Sequence, residues 1–321
     1  MPALSVTIPA TDTPATLTNC LAAIAGADEA PDEVIVVDRP TSLSAAAARN
    51  AGARRASGDI VVFVDADVEV HADAFRRIRQ AFAADPELTA VYGSYDDAPA
   101  RGGTVSAFRN LLHHHVHQES AGPAETFWTG LGAIRRRALL DAGGFDERRF
   151  PHPSVEDIDL GSRLHAGGAR IVLDPAIQGT HLKAWTLRSM VWTDLARRGV
   201  PWVALQVRNR RLCSTLNLGW RHRLSAAAVV IAVASTMLVP VVTVVGLGAV
   251  VGLNRGFYGL LARRLGPTRA AAGVALHCLH HLIAFVAVPA GLASAAWLRL
   301  RPPDGGVAAP ARDMPSTELV G

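Results

Sequence analysis

Gly58 to Val70 reads GDIVVFVDADVEV, and no other stretch constrains the fold as much. Ile60 to Val64 is a run of five apolar, mostly β-branched residues. A short run of this kind is a strand buried on both faces, as in a mostly parallel sheet covered by helices on each side. It leads straight into two carboxylates, Asp65 and Asp67, with only Ala66 between them. Such charges are too costly to sit unpaired inside the sheet, so they belong at its rim. In open α/β sheets, ligands bind at the rim formed by the carboxyl ends of the strands.

The surrounding pattern supports an α/β domain over residues 1–205. LSVTIPA, EVIVVD, DIVVFVDAD and LTAVYGSY read as strands separated by helical stretches. Thr13 with Pro14 reads as a helix start, and Ser42 as the cap of SLSAAAARNAGARRA. Pro9 to Asp12, Asp38 and the Asp65/Asp67 pair then fall at three neighbouring strand ends. A lone Asp at such a place is commonly a helix cap. Three strand ends carrying polar residues predict a binding edge.

Composition divides the chain. Half the 321 residues are apolar, and the excess lies in 224–300. Leu224 to Leu253 is uncharged throughout, longer than the roughly 20 residues a membrane helix needs. A second apolar stretch, Ala270 to Leu298, contains His277, His280 and His281. Arg255, Arg263, Arg264 and Arg269 lie between the two. If each stretch crossed once, these arginines would lie on the far side from the N-terminal domain, which the positive-inside rule disfavours. A first stretch that turns back near Pro240 avoids this, although each arm then has only about 15 residues, short for a crossing. The re-entrant arrangement is preferred.

Ahead of these stretches, seven arginines (Arg197, Arg198, Arg208, Arg210, Arg211, Arg221 and Arg223) stand against the single acid Asp194. Aromatic interleaving is thin, so anionic lipid rather than nucleic acid is the expected partner. The expected organisation is a catalytic domain over 1–205, a basic juxtamembrane segment over 206–223, membrane helices over 224–300 and a disordered Pro/Gly/Ala-rich tail over 301–321. The N-terminus has no signal-peptide pattern, and Cys20, Cys213 and Cys278 have no metal spacing. The expected location is a bacterial cytoplasmic membrane, with the catalytic domain facing the cytoplasm.

Asp-x-Asp at a strand end suits a hard cation such as Mg2+ or Mn2+ together with substrate phosphates. Neither a Gly-x-Gly-x-x-Gly nor a Walker loop is present, so a dinucleotide fold and a Walker ATPase lack support. VVFVDADVEV also fits the start of a haloacid-dehalogenase-like phosphatase. That pattern requires a Lys followed by an acidic pair, whereas the only lysine, Lys183, follows Glu156-Asp157. The second acidic motif is PSVEDIDLGSRLHAGGARIVLD. Glu156, Asp157 and Asp159 open an amphipathic helix that Gly167-Gly168 ends, and acids in a first turn favour the helix dipole. The dipole accounts for Asp159, but not for a Pro-rich loop delivering the Glu-Asp pair.

VTIPA, EVIVVD, ARNAGARRASGDIVVFVDADV, FWTGLGAIRRRALLDAGGFDE, VEDIDLGSRLHAGGARIVLDP and HLKAWTL stand in this order over about residues 4–190. In this combination the chain resembles family 2 glycosyltransferases of the GT-A fold. The resemblance implies a nucleotide-sugar donor on the first half of the sheet, with Pro9, Asp38, Asp65 and Gly130 at the donor. It implies a divalent metal (Mg2+ or Mn2+) held by Asp67, Asp65 and His181, Asp157 as general base beside Glu156, and an acceptor near Trp185 and Trp128. The chain departs from the family at Ala10-Thr11 and Arg39-Pro40, which puts the identity of the nucleoside base in doubt. A single base opposite the leaving diphosphate implies inversion at the anomeric carbon. It also favours a hydroxyl on a lipid-linked or glycan acceptor.

The alternatives are a sugar nucleotidyltransferase and a non-catalytic membrane partner that retains the fold. The first lacks a Gly-rich, Lys-bearing loop after strand one, and the second does not explain retention of both acidic pairs. In LLHHHVHQ, His113 and His117 share a helix face, and a partly exposed helix near the membrane or the acceptor cleft is the expected setting.

Overall fold

The computed structural model describes residues 1–210, 216 and 219–300. The tail over 301–321 and part of the basic segment over 206–223, including Arg211 and Cys213, lie outside the described residues. The first strands are β1 (Leu4–Pro9), β2 (Glu33–Val37), β3 (Ile60–Val64) and β4 (Val68–Val70). They are followed by β5 (Leu88–Tyr95), β6 (Gly122–Pro123), β7 (Leu131–Arg135) and β8 (Arg170–His181). All eight form one sheet in the order β2-β1-β3-β7-β5-β8-β4, with β6 against β8. β1, β2, β3, β5 and β8 share one direction, while β4, β6 and β7 run against them.

β3 shows why the sheet is covered on both sides. Alternate residues of a strand face opposite ways. Ile60, Val62 and Val64 join Leu4, Val6 and Ile8 in one core, against Cys20 and Ile24 of helix α1 (Leu17–Ala25). Val61 and Phe63 join a second core, with Ala46, Ala48 and Ala53 of α2 (Ala45–Arg55). α3 (Ala74–Ala84) adds Phe75, Ile78 and Phe82 to the first core. Two helix starts differ from the sequence expectation. Thr13 has a left-handed φ of 50°, so α1 begins later, and the cap of α2 is Ser44, whose hydroxyl accepts from the Ala47 amide at 3.2 Å.

α4 (Thr104–Glu119) lies beyond β5, and the short α5 (Arg136–Asp141) follows β7. α6 (Glu156–Ala166) begins with the acidic pair and ends at Gly167, as its acid and glycine signals predict. At Gly161 any side chain would overlap the backbone of Thr126 and Phe127, so α6 rests directly on that segment. After β8 come α7 (Leu187–Trp192), a π-helical turn over Thr193–Gly199, and α8 (Val200–Asn209).

The apolar C-terminal region forms α9 (Trp220–Ser235), α10 (Pro240–Leu253), α11 (Arg255–Leu265) and α12 (Pro267–Leu300). α10 packs back along α9, and α11 leaves α10 at 75°. By length and composition, Pro267–Trp297 of α12 is able to cross a membrane. A third core ties this region to the catalytic fold: Phe108, Leu111 and Leu112 of α4 pack with Phe257 and Leu261 of α11 and Ala270 of α12.

Candidate active site

β1, β2 and β3 are adjacent and parallel, so Pro9, Asp38 and Asp65 come out at one edge of the sheet. Asp38 is exposed there, and Pro9 pairs with Val37. Beyond Val64 the chain turns through Asp65-Ala66-Asp67 into β4, and the Asp65 amide donates to the Gly130 carbonyl at 3.1 Å. β4 pairs with the end of β8, with Val68 opposite His181. This pairing brings His181 Nε2 to 3.6 Å from Asp67 Oδ2. Tyr95 holds the imidazole in place by stacking on it, with ring centroids 4.1 Å apart.

The two acidic motifs meet through a residue that the sequence reading did not single out. Arg49 of α2 is buried. Its Nη2 donates to Asp65 Oδ1 at 2.7 Å, and its Nη1 donates to Glu156 Oε1 at 2.9 Å. Glu156 Oε2 also accepts from the Ser154 amide at 2.7 Å. Both carboxylate oxygens of Glu156 are therefore engaged. Asp157 has only backbone partners: the Ile158 amide at 2.8 Å and the Thr129 amide at 3.4 Å. Arg49 stands among small residues of α2. Ala46, Ala47, Ala48, Gly52 and Ala53 let α2 lie close to the sheet, and in this fold that contact buries Arg49 with its partners.

The carboxylates do not titrate alike. Burial, together with the Glu156 charge, pushes Asp157 up to about 6. Burial also raises Asp65, with the Asp67 charge adding to it and Arg49 opposing it. Burial acts against Asp67 as well, but hydrogen bonding to His181 and the charges of His181 and Lys183 hold it below the usual carboxylate range.

Trp185 meets two cations, with Arg109 Cζ 5.1 Å and Lys183 Nζ 5.0 Å from its ring. Its backbone amide donates to Ser106 Oγ at 2.8 Å, while its buried indole Nε1 has no hydrogen-bond partner among the described residues. Trp128 packs edge-on against Tyr95 at 5.0 Å and close to His113 at 4.6 Å. Gly130 is required by Trp128, because a side chain there would overlap the indole ring. α4 is partly exposed, as expected: His115 and His117 are buried, while His113 and His114 are half-buried. His113 lies 3.9 Å from His117, His117 Nδ1 bonds the Gly93 carbonyl, and burial drives both rings well toward the neutral form, His117 to about 4.

Residues 39–144 match the sequence model of glycosyl transferase family 2. Over that stretch the chain is similar to family 2 glycosyltransferases. A poly-β-1,6-N-acetyl-D-glucosamine synthase of Staphylococcus aureus (strain COL) is 26% identical over 177 residues, covering 53% of this chain and 40% of that protein. The chain thus spans less than half the length of the curated relatives it matches. In three dimensions it resembles the mannosyltransferase PcManGT of Pyrobaculum calidifontis, solved with GDP-Man and Mn2+. That likeness has a TM-score of 0.53 at 18% identity and covers 93% of this chain and 88% of the other. It establishes the GT-A type of fold.

A divalent cation fits the donor edge of this domain. Among the described residues, no group of three or more His, Cys, Asp or Glu is arranged to hold a metal. Asp67 and His181 supply one carboxylate and one imidazole, while Asp65 has turned one oxygen to Arg49. A two-ligand protein site of this kind relies on substrate phosphates and water for the rest, as Mg2+ and Mn2+ sites on nucleotides do.

Proposed function

We propose that the chain is an inverting glycosyltransferase that moves a sugar from a nucleoside-diphosphate donor to a hydroxyl of a lipid-linked or glycan acceptor. It would act at a bacterial cytoplasmic membrane, with the catalytic domain on the cytoplasmic side. The observation that supports this reading is the double bridge of Arg49, whose guanidinium joins Asp65 of the first acidic motif to Glu156 of the second. The similarity to a hexosamine-polymer synthase supports a sugar nucleotide as donor and a saccharide as acceptor.

Pro9, Asp38 and the backbone around Gly130 line the donor edge, with Asp38 exposed to meet the nucleoside. A divalent cation held by Asp67 and His181, with Asp65 behind them, would neutralise charge growing on the departing diphosphate as a Lewis acid. Trp185 and Trp128 offer aromatic surface to the acceptor. Asp157 takes the acceptor proton as the acceptor oxygen bonds to the anomeric carbon and the bond to the diphosphate breaks. Glu156 cannot share that role while Arg49 and the Ser154 amide hold both its oxygens. An acid near 6 suits the task, being ionised at neutral pH yet still able to accept a proton.

The test is a panel of labelled nucleotide sugars incubated with purified protein, Mn2+ and membrane lipid extract. Transfer or slow donor hydrolysis that is lost in Asp157→Asn supports the proposal. Diphosphate release from a nucleoside triphosphate, or donor binding with no turnover under any condition, would sink it.

A further inference from the structure

We propose that this chain is monotopic: the α9–α10 hairpin and the outer face of α12 enter one leaflet of an anionic bilayer, and no described helix crosses it. The proposal stands independently of the glycosyltransferase reading.

Both ends of the hairpin are fixed to the catalytic domain. At the start of α9, Arg221 Nη1 donates to Glu119 Oε2 of α4 at 3.1 Å. Beyond α10, Phe257 packs on Phe108 and His115 of α4, and Arg264 pairs with Asp97. The chain therefore leaves the domain and returns to it on the same side. The arms hold 16 and 14 residues, roughly 24 and 21 Å at 1.5 Å per residue. Each falls short of the roughly 30 Å hydrocarbon core.

The hairpin is built to be surrounded by lipid. Its tip exposes Met237 at 90% and Leu238 at 82%, with Val241 and Val244 beside them. Polar groups in hydrocarbon must be satisfied within the protein. Ser235, Thr236 and Thr243 meet this condition, because each bonds the Ala232 carbonyl and Ser235 also bonds Thr243 at 3.0 Å. Gly246 lets the arms touch at Ala232, the close small-residue contact that holds helices together without water.

α12 is long and apolar enough to cross, but its packing places it flat. A buried stripe runs from Ala270 and Gly273 through His277 and His281 to Gly291 and Ala295. That is 26 residues, or roughly 39 Å of helix against protein. Gly273 lies on Leu261 of α11, and His280 Nδ1 is 2.9 Å from Asp194 Oδ2, which also pairs with Arg109 of α4. Ala287 lies against Gly199, and Gly291 against Val203 of α8. α8 in turn packs through Leu205 on Val155, next to the proposed base. Were α12 to cross, the Arg109–Asp194 pair and α8 would be carried into hydrocarbon, at a high cost for the charges. Phe285, Val288, Leu292 and Trp297 stay exposed on the other face. Arg255, Arg263 and Arg269 are exposed at the end shared by the hairpin base and the start of α12, where acidic headgroups would meet them.

Sidedness labelling tests this with the full chain. In a background with Cys20, Cys213 and Cys278 changed to Ser, single cysteines are placed by Arg137→Cys, Met237→Cys, Arg263→Cys and Ser316→Cys. Sealed right-side-out and inside-out membrane vesicles are then treated with an impermeant maleimide. Arg137 marks the catalytic domain, its side chain being 94% exposed. The expected result is labelling at 137, 263 and 316 from one side only, with 237 reacting only after detergent. Position 316 labelled from the opposite side would show that α12 crosses, and position 263 alone on the opposite side would show two crossings. Either overturns the proposal. Purified protein should pellet with phosphatidylcholine vesicles containing phosphatidylglycerol about tenfold better than with phosphatidylcholine alone. A soluble dimer that ignores both vesicle types would mean that a second copy covers the apolar faces, and would also overturn it.

Discussion

Asp65-Asp67 at the end of β3 and Glu156-Asp157 at the start of α6 each give one carboxylate to Arg49 and keep the other free of it. The free members then diverge. Asp67 faces His181 and the charge of Lys183, which hold it ionised against the pull of burial. Asp157 has only backbone donors in contact and the Glu156 charge next to it, and it rises to about 6. A group that binds cation and diphosphate has to stay charged, whereas a base has to be able to accept a proton. One guanidinium neutralises the spare member of each pair, and the remaining neighbours separate the two roles.

The sharpest way to break this comparison is Asp157→Asn. Sugar transfer should fall about 10²–10⁴-fold while donor binding, measured by calorimetry, stays within about threefold. An equal loss of binding would put Asp157 on the donor side instead. Arg49→Met removes the partner of two buried carboxylates at once, and should cost about 3–5 kcal/mol in denaturant unfolding. A melt close to wild type would show that the pairs do not depend on it.

His181→Ala should raise the Mn2+ concentration for half-maximal activity about 10–100-fold, with little change at saturating metal. Lowering pH separates the pairs further. Transfer should drop about tenfold per unit below pH 6 as Asp157 protonates, while metal binding persists to lower pH because Asp67 is depressed. The smallest effect concerns stability. Asp157 is raised above its ordinary 3.8, so its contribution to stability is full below about 4 and lost as pH rises through 6. Asp157→Asn should therefore be more stable than wild type at pH 7.5 by on the order of 1 kcal/mol, and equal to it near pH 3.5.

Much of this site was legible because its signals are local. β3 announces itself by five apolar residues, and α6 by acids at its start and glycines at its end. β7 was not read as a strand, since its glycine and its short apolar run within GLGAIRRR give no alternation, and it is held by pairing with β3 and β5 on either side. Arg49 was missed for a related reason. Its partner Glu156 is 107 residues away, and no local pattern shows whether an arginine beside alanines will be buried or solvated. The apolar C-terminal region shows the converse limit. Hydropathy registers how much of α12 avoids water, but the stripe from Ala270 to Ala295 is defined only by the helices that lie against it.

Gly161 stands one helical turn beyond Asp157, where α6 rests main chain on main chain against Thr126 and Phe127. A single methyl group there would force α6, which carries the proposed base, away from that segment. A displacement of about 1 Å at a reacting group is enough to cost on the order of a hundredfold in rate. The reach of the proposed proton acceptor toward its substrate would thus be gauged by the thinnest spacer among the amino acids, at a residue set apart from the proposed site.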